Sequence, residues 1–259
     1  MNPEIVNRLL EINRTFYTAF ARSFADSRPP DQPGFWRLLP YIPAGGRLLD
    51  VGCGDGRIAR WLEAVERPVA YWGLDFSPAM VALARRRCRT LRRVQTTFRV
   101  ADVAEPGWAD DLPLASFDVV LALALLHHLP GFALRARFLG RVAALLKPGG
   151  ICGLSTWQFL RAERLRRRIV PWSAVGLSPE VLEPGDYLLD WRRDGYGYRY
   201  VHLVDEAEMA RLIRAAGLVQ VEAFDADGRE GNLSRYVVLI RPPSPEPPEG
   251  ALPPAEQPP

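Results

Sequence analysis

The chain has 259 residues, 48% of them apolar, and a formal net charge of +3. That length suits one domain with an insert, or a domain with a small satellite, and supplies a substantial core. The longest apolar run, Val119 to Leu126, stops at His127-His128 and is too short to span a membrane as a helix.

Met1-Asn2-Pro3-Glu4 has neither the basic nor the apolar region of a secretory signal. Cys53, Cys88 and Cys152 are scattered, with no C-x-x-C pair. Neither a zinc site nor a disulfide scaffold is expected, no metal is assigned, and the cysteine usage fits the reducing cytoplasm.

Apolar residues at Ile5, Leu9, Ile12, Phe16, Phe20 and Phe24 predict an amphipathic helix over 4–26, inside an N-terminal helical segment of residues 1–34. Pro29-Pro30 and Pro33-Gly34 break the chain after it. From residue 47 strands and helices alternate. Strands are read at 47–52, 69–74, 96–101, 117–123 and 150–156, and helices near 57–66, 78–92 and 132–146. The strands are apolar rather than alternating, as in a parallel sheet covered on both faces. Ser77 reads as a cap before Pro78, and Lys147-Pro148-Gly149-Gly150 as a helix stop and turn. After this 35–157 core comes an insert at 158–204, rich in Arg, Tyr, Trp and Gly. A helix at 205–216 and strands near 218–225 and 233–240 make up the closing part, 205–241. From Pro242 to residue 259 the composition predicts a disordered tail.

Four features fall at predicted strand ends. Arg47 to Gly56 carries Asp50, then Gly52, Gly54 and Gly56, a strand turning sharply into a helix. Glycines there permit unusual backbone angles and let a ligand touch the main chain. The third glycine comes one residue too early for a G-x-G-x-x-G dinucleotide fingerprint, and Arg57 takes its slot. Asp75 ends the second strand, Asp102-Val103 follows the third, and the fourth runs through Leu123 to His127-His128. This acid-x-Gly-x-Gly-x-Gly set resembles the class I S-adenosylmethionine (SAM) methyltransferases. The resemblance implies a Rossmann-like, seven-stranded, mostly parallel α/β sheet with a substrate-side insert, and SAM as cofactor. It implies that Asp75 accepts the ribose hydroxyls, that Asp102 and Val103 meet the adenine, and that Gly52, Gly54, Gly56 and Leu123 line the cofactor. Asp50 would orient the turn or meet the cofactor's ammonium group.

Further patches narrow the resemblance. Ala124-Leu125-Leu126-His127-His128-Leu129 resembles the Ile-His-His-Leu stretch of the tRNA wobble-uridine carboxymethyl methyltransferases. Phe24-Ala25-Asp26-Ser27-Arg28 is similar to that family's Phe-x-x-(Ser/Thr)-Arg, and Arg199-Tyr200-Val201-His202 to its Arg-Tyr-Tyr-His. Glu230-Gly231-Asn232-Leu233 resembles its Asp-Asn-Trp. Val201, Val204 and Leu233 replace aromatic residues of the family pattern, while Tyr187, Trp191, Tyr196, Tyr198 and Tyr200 among Arg192, Arg193 and Arg199 either restore a stacking surface or form the insert's core. The resemblance implies methyl esterification of a carboxymethyl group on tRNA, and a small zinc-binding activator protein as partner in eukaryotic members.

A carboxylate is already ionised at neutral pH and needs no general base. Arg28 and Arg199 are therefore candidates to grip the anion, and His127, His128 and His202 to position it. Adjacent residues of an extended or helical segment diverge, so one of the His127-His128 pair is expected to point away. Lys147 is the only lysine; arginines cluster at 85–93 and 161–168, either as phosphate contacts or as solvated helix faces. A small-molecule O-, N- or C-methyltransferase would share every cofactor feature. A non-catalytic SAM-binding adaptor is the third reading.

Overall fold

A computed structural model describes residues 1–243; the rest of the expected tail lies outside the described residues. Helix α1 spans Pro3–Asp26, is capped by the Asn2 side chain and bends at Phe20. Pro33, read as a breaker, instead opens the short helix α2, Pro33–Leu38. Its fixed φ suits a first helical turn, where the missing N–H costs nothing. Then come β1 (Arg47–Val51), α3 (Arg57–Ala64), β2 (Val69–Asp75), α4 (Pro78–Cys88), β3 (Val94–Val100), β4 (Phe117–Leu123), α5 (Phe132–Leu145) and β5 (Leu146–Trp157). The short α6 (Glu163–Arg166) leads into β6 (Ile169–Val170), β7 (Asp186–Trp191) and β8 (Gly197–His202). The chain closes with α7 (Glu206–Ala215), β9 (Val219–Ala226) and β10 (Ser234–Ile240).

Seven strands form one sheet in the order β3-β2-β1-β4-β5-β10-β9, with β10 antiparallel to both its neighbours. Leu49 and Val51 pack with Phe138, Leu139 and Leu212 from α5 and α7, while Leu48 packs with Trp61, Leu62 and Ala84 from α3 and α4. Both faces of β1 are thus buried, which is why its sequence shows no polar alternation. The strand order reverses between β1 and β4, so the cleft opens at their carboxyl ends. No helix among the described residues is long and apolar enough to cross a membrane.

Two boundaries differ from expectation for visible reasons. Glu63 accepts the N–H groups of Arg92, Arg93 and Val94 at 3.1, 2.9 and 3.0 Å. Those donors are satisfied outside the helix, so α4 ends at Cys88 and β3 starts at Val94. The Lys147–Gly150 turn lies inside β5 as an irregularity: pairing with β4 steps from Phe117↔Leu146 to Val119↔Ile151, and Gly149 takes a φ of 77°.

Strands β6, β7 and β8 form a separate antiparallel sheet that rests on α1. Leu9 and Ile12 pack on Leu188 and Tyr200. The buried Asn13 amide then does the work of a neighbouring strand: its Nδ2 donates to the Tyr200 carbonyl at 3.1 Å and its Oδ1 accepts the Tyr200 N–H at 2.9 Å. On the other flank a buried ion network joins this sheet to the main body. His202 sets Nδ1 2.7 Å from Asp186 Oδ1 and Nε2 2.7 Å from Glu208 Oε2. Arg135 donates to Glu208 at 2.6 Å and to Glu183 at 2.7 Å, and the Tyr200 hydroxyl donates to Asp186 at 2.8 Å. Carboxylates on both ring nitrogens require both to carry protons. Burial alone would lower the His202 pKa, and the hydrogen bonds to Asp186 and Glu208 outweigh it, so the net direction is up. Glu183, Asp186 and His202 bring three ligand-type atoms within 4.8 Å of one another, but a doubly protonated ring has no lone pair for a metal.

Asn13→Ala leaves the buried Tyr200 N–H unpaired, while the Tyr200 carbonyl keeps His128 Nδ1, and should cost about 1–3 kcal/mol in denaturant unfolding. The His202 contribution is complete below its unfolded pKa of about 6.5 and is lost as pH rises through the elevated folded value. Unfolding midpoints measured across that range should therefore fall more steeply with pH for the parent than for His202→Gln.

Candidate active site

One cavity runs along the carboxyl ends of β1, β2 and β4 and under α1. Asp50, Gly52, Gly54, Asp75, Asp102, Val103 and Leu123 line one end; Arg28, His127, His128 and Trp157 line the other. The glycine turn is divided in its tasks. Gly52 and Gly54 have φ of 80° and 56°, and a Cβ on Gly54 would meet nothing within 4 Å, so its backbone is open to a ligand. Gly56, expected to touch the cofactor, faces α4 instead: a Cβ there would sit 2.7 Å from Cys88 Sγ. Its φ of 75° and this close approach make it a packing residue where the turn enters α3.

The acids are held in place by the local backbone. Asp75 accepts the Gly54 N–H on Oδ2 and the Ser77 N–H on Oδ1, each at 2.9 Å. Burial pushes its carboxyl up to about 6. Asp50 accepts the Tyr71 hydroxyl at 2.5 Å, and burial pushes it up to about 7. Asp102 accepts the Ala104 N–H at 2.9 Å and, on Oδ2, two donors of Arg14 at 3.0 and 2.6 Å. The open Gly54 backbone and the string of acceptors from Asp50 through Asp75 to Asp102 fit a ligand with an ammonium group, vicinal hydroxyls and an aminopurine.

Both histidines of the pair face the cavity, contrary to the divergence expected of an extended or helical segment. Leu126–His128 is a single 3-10 turn, and its two rings lie 4.3 Å apart between centroids. Each ring has a fixed tautomer. His128 Nδ1 lies 3.1 Å from the Tyr200 carbonyl, which can only accept, so its proton is there; Nε2 accepts the Tyr17 hydroxyl at 2.9 Å. His127 Nδ1 accepts the Trp157 N–H at 3.3 Å, leaving Nε2–H, which is buried and without a partner among the described residues. Burial drives the His128 pKa down to about 3. Burial, with His128, Arg28 and Arg199, drives His127 well below its usual value. Both are neutral, and neither offers the cavity a bare nitrogen.

Arg199 and His202, expected to act together, do not. Alternation along β8 puts residues three apart on opposite faces. Arg199 turns towards Phe16, Trp157 and Trp191, at 4.9, 5.1 and 5.2 Å from the ring centroids. His202 turns away into the ion network, so it is not a cavity residue. Arg28 stacks on Phe24 at 4.4 Å and Trp157 at 5.4 Å. Among the described residues neither Arg28 nor Arg199 has a carboxylate within 4.0 Å. Of the insert's aromatics, Tyr200 is fully buried and Trp191 packs on Phe16, so they build the insert's core more than a stacking surface. Of the 85–93 block, Arg87 binds Asp26 and Asp55, Arg93 binds Glu66 and Arg85 donates to the Phe98 carbonyl. Cavity residues that sequence reasoning missed include Arg14, Tyr17, Arg57 and Trp157. Leu10, Arg14 and Tyr17 share a helical stripe beside the main apolar face, a signal visible in the sequence.

A methyltransferase domain family model matches residues 49–152. The chain is 31% identical to a trans-aconitate 2-methyltransferase of Methylobacterium radiotolerans over 84% of each chain. It is 35% identical to a ubiquinone biosynthesis O-methyltransferase of Xanthomonas axonopodis pv. citri over 78% of each. Among solved structures, the Burkholderia thailandensis 1,6-didemethyltoxoflavin-N1-methyltransferase, bound to 1,6-didemethyltoxoflavin and S-adenosylhomocysteine, matches with a TM-score of 0.61 at 19% identity, covering 94% of this chain and 92% of that one. A Haloferax volcanii methyltransferase in complex with the Trm112 activator matches at 0.59 and 19%, covering 90% and 97%. The chain belongs to the class I SAM-dependent methyltransferases, with SAM as methyl donor.

Asp75→Ala should weaken SAM binding by about 10- to 150-fold, the value of charge-assisted hydrogen bonds. Protonating Asp50 and Asp75 removes charge and acceptors, so calorimetric SAM affinity should fall as pH drops from about 7 through about 6.

Proposed function

We propose that this methyltransferase O-methylates a small acceptor through a carboxylate gripped by Arg28. The observation that carries this reading is a guanidinium enclosed by Phe24 and Trp157, open to the cavity and without an acidic partner among the described residues. A buried cation in that state favours an anionic ligand. The histidines agree with it: both are neutral, and both lone pairs are engaged, His128 by Tyr17 and His127 by the Trp157 N–H. A neutral hydroxyl would need a base at this place; a carboxylate does not.

When bound, SAM supplies an electrophilic methyl: a carboxylate oxygen forms the new O–C bond as the C–S bond breaks, the electron pair stays on sulfur, and the products are a methyl ester and S-adenosylhomocysteine. Arg28 orients the anion, and the unpartnered His127 Nε2–H is a donor for an acceptor oxygen. Phe24, Trp157 and Leu233 keep water out. Alignment of this kind can contribute roughly 7–11 kcal/mol to the barrier reduction. The small-molecule assignment is supported by the relatives, named for trans-aconitate and ubiquinone biosynthesis. A tRNA acceptor has less support, because Tyr200 and Trp191 of the insert are engaged in packing rather than open for base stacking and the Haloferax likeness, at 19% identity, carries the fold alone.

The test is labelled-methyl transfer to trans-aconitate, to catechol and to tRNA bearing 5-carboxymethyluridine, with mass spectrometry of the products. A methyl ester of the small carboxylate is expected, and Arg28→Gln should lower kcat/KM by about 30- to 100-fold. Transfer to catechol or tRNA, with none to the small carboxylate, would overturn the reading.

A further inference from the structure

Beside the cavity just described lies a second compartment, separated from it by Phe24, Arg28, Trp157 and Leu233, which line both. Among the described residues its wall carries six arginines, Arg28, Arg164, Arg168, Arg192, Arg193 and Arg199, against a single acid, Asp190. Asp190 is already shared, 3.4 Å from Arg168 and 2.7 Å from Arg192. Arg193 reaches only Asp194, at 3.9 Å and in solvent. Among the described residues, Arg28, Arg164 and Arg199 have no carboxylate within 4.0 Å.

Arg199 is the telling member. It is 4% exposed, its Nε has no hydrogen-bond partner among the described residues, and its charge is met by the faces of aromatic rings and by the neutral Tyr17 hydroxyl rather than by an acid. Ring faces stabilise a guanidinium from above and below but leave its in-plane donors unused. Arg164 stands in solvent at the mouth of the same compartment. Three like charges gathered around a partly enclosed space repel one another unless an anion joins them.

We propose that this compartment binds a second carboxylate of the acceptor, so that the substrate is a dicarboxylate with one group at Arg28 for methylation and the other at Arg199 and Arg164. This inference rests on the carboxylate reading above and narrows it. Arg28, facing both compartments, fixes the order: the group nearer the glycine turn reacts and the farther one anchors. The farther carboxylate stays unmethylated because it is held away from the cofactor's end of the cavity.

The protein saturated with S-adenosylhomocysteine is titrated calorimetrically with fumarate, glutarate and adipate, and with crotonate, pentanoate and hexanoate as monocarboxylates of matching chain length. Methyl transfer from SAM to each is measured in parallel. At least one dicarboxylate should bind about ten-fold or more tightly than its monocarboxylate match and yield a monomethyl ester only. Arg199→Gln and the exposed Arg164→Gln should each shrink that advantage, with monocarboxylate binding held within about two-fold. Arg164→Gln and the parent's own preference carry the test if Arg199→Gln does not fold. Equal binding of mono- and dicarboxylates, or no effect of Arg164→Gln on the difference, overturns the second site while leaving the carboxylate chemistry standing. Tighter binding of 4-phosphonobutyrate than of any dicarboxylate also overturns it, since the anchor would then be a phosphate site. Methyl transfer to no carboxylate, alongside transfer to catechol, would sink the preceding reading instead.

Discussion

The paired hydrogen bonds between the Asn13 amide and the Tyr200 backbone hold the acceptor side of this protein together. β8 is the edge of a three-stranded sheet, and Tyr200 turns its N–H and carbonyl outward, where no strand follows. A helix cannot continue a ladder, but one primary amide offers a donor and an acceptor at the right separation. The same Tyr200 carbonyl takes the His128 Nδ1 proton. One peptide group thus fixes the seat of α1, the position of the insert and the tautomer of a cavity histidine. Everything α1 brings to the site, from Arg14 through Tyr17 to Phe24, depends on that seat.

Charge is distributed along the site in one direction. The end beside β1 and β2 is acidic, with Asp50 on the Tyr71 hydroxyl, Asp75 on backbone donors and Asp102 on a backbone donor and Arg14. The far end is basic, with Arg28, Arg199 and Arg164 unmatched by acids among the described residues. Burial raises the pKa of Asp50 and Asp75 and lowers that of Arg199 and of Arg28, the latter to about 10. Both ends therefore favour ligands that supply the missing charge: a cationic cofactor at one and, at the other, the anionic acceptor proposed above. This polarity would bring the two reactants together in a fixed order, and the neutral histidines between them leave it undisturbed.

The two sheets carry different kinds of bonding. The seven-stranded sheet is held by apolar contacts on both faces, insensitive to pH. The smaller sheet is joined to it through Arg135, His202 and their three carboxylate partners, buried charges that are stable only when complete. The substrate side is thus the part whose attachment responds to protonation and to single substitutions.

Sequence alone settled the alternation of strands and helices from residue 47, the parallel sheet and the strand-end positions of Asp50, Asp75 and Asp102. Those follow from local periodicity, from glycine's conformational freedom at Gly52 and Gly54, and from the rule that clefts open at carboxyl ends of strands. Arg28 and Arg199 were legible as candidates to grip an anion, though not their separation into neighbouring compartments. Tertiary structure alone decided that Gly56 packs against Cys88, that His127 and His128 share the cavity through a 3-10 turn, and that His202 turns into an ion network. It also decided that Asp102 meets Arg14 and that Tyr17 orients His128. Each of these depends on a partner tens of residues away, and no local pattern records which remote side chain arrives. The strand ends were written in the sequence; the company they keep was set by packing.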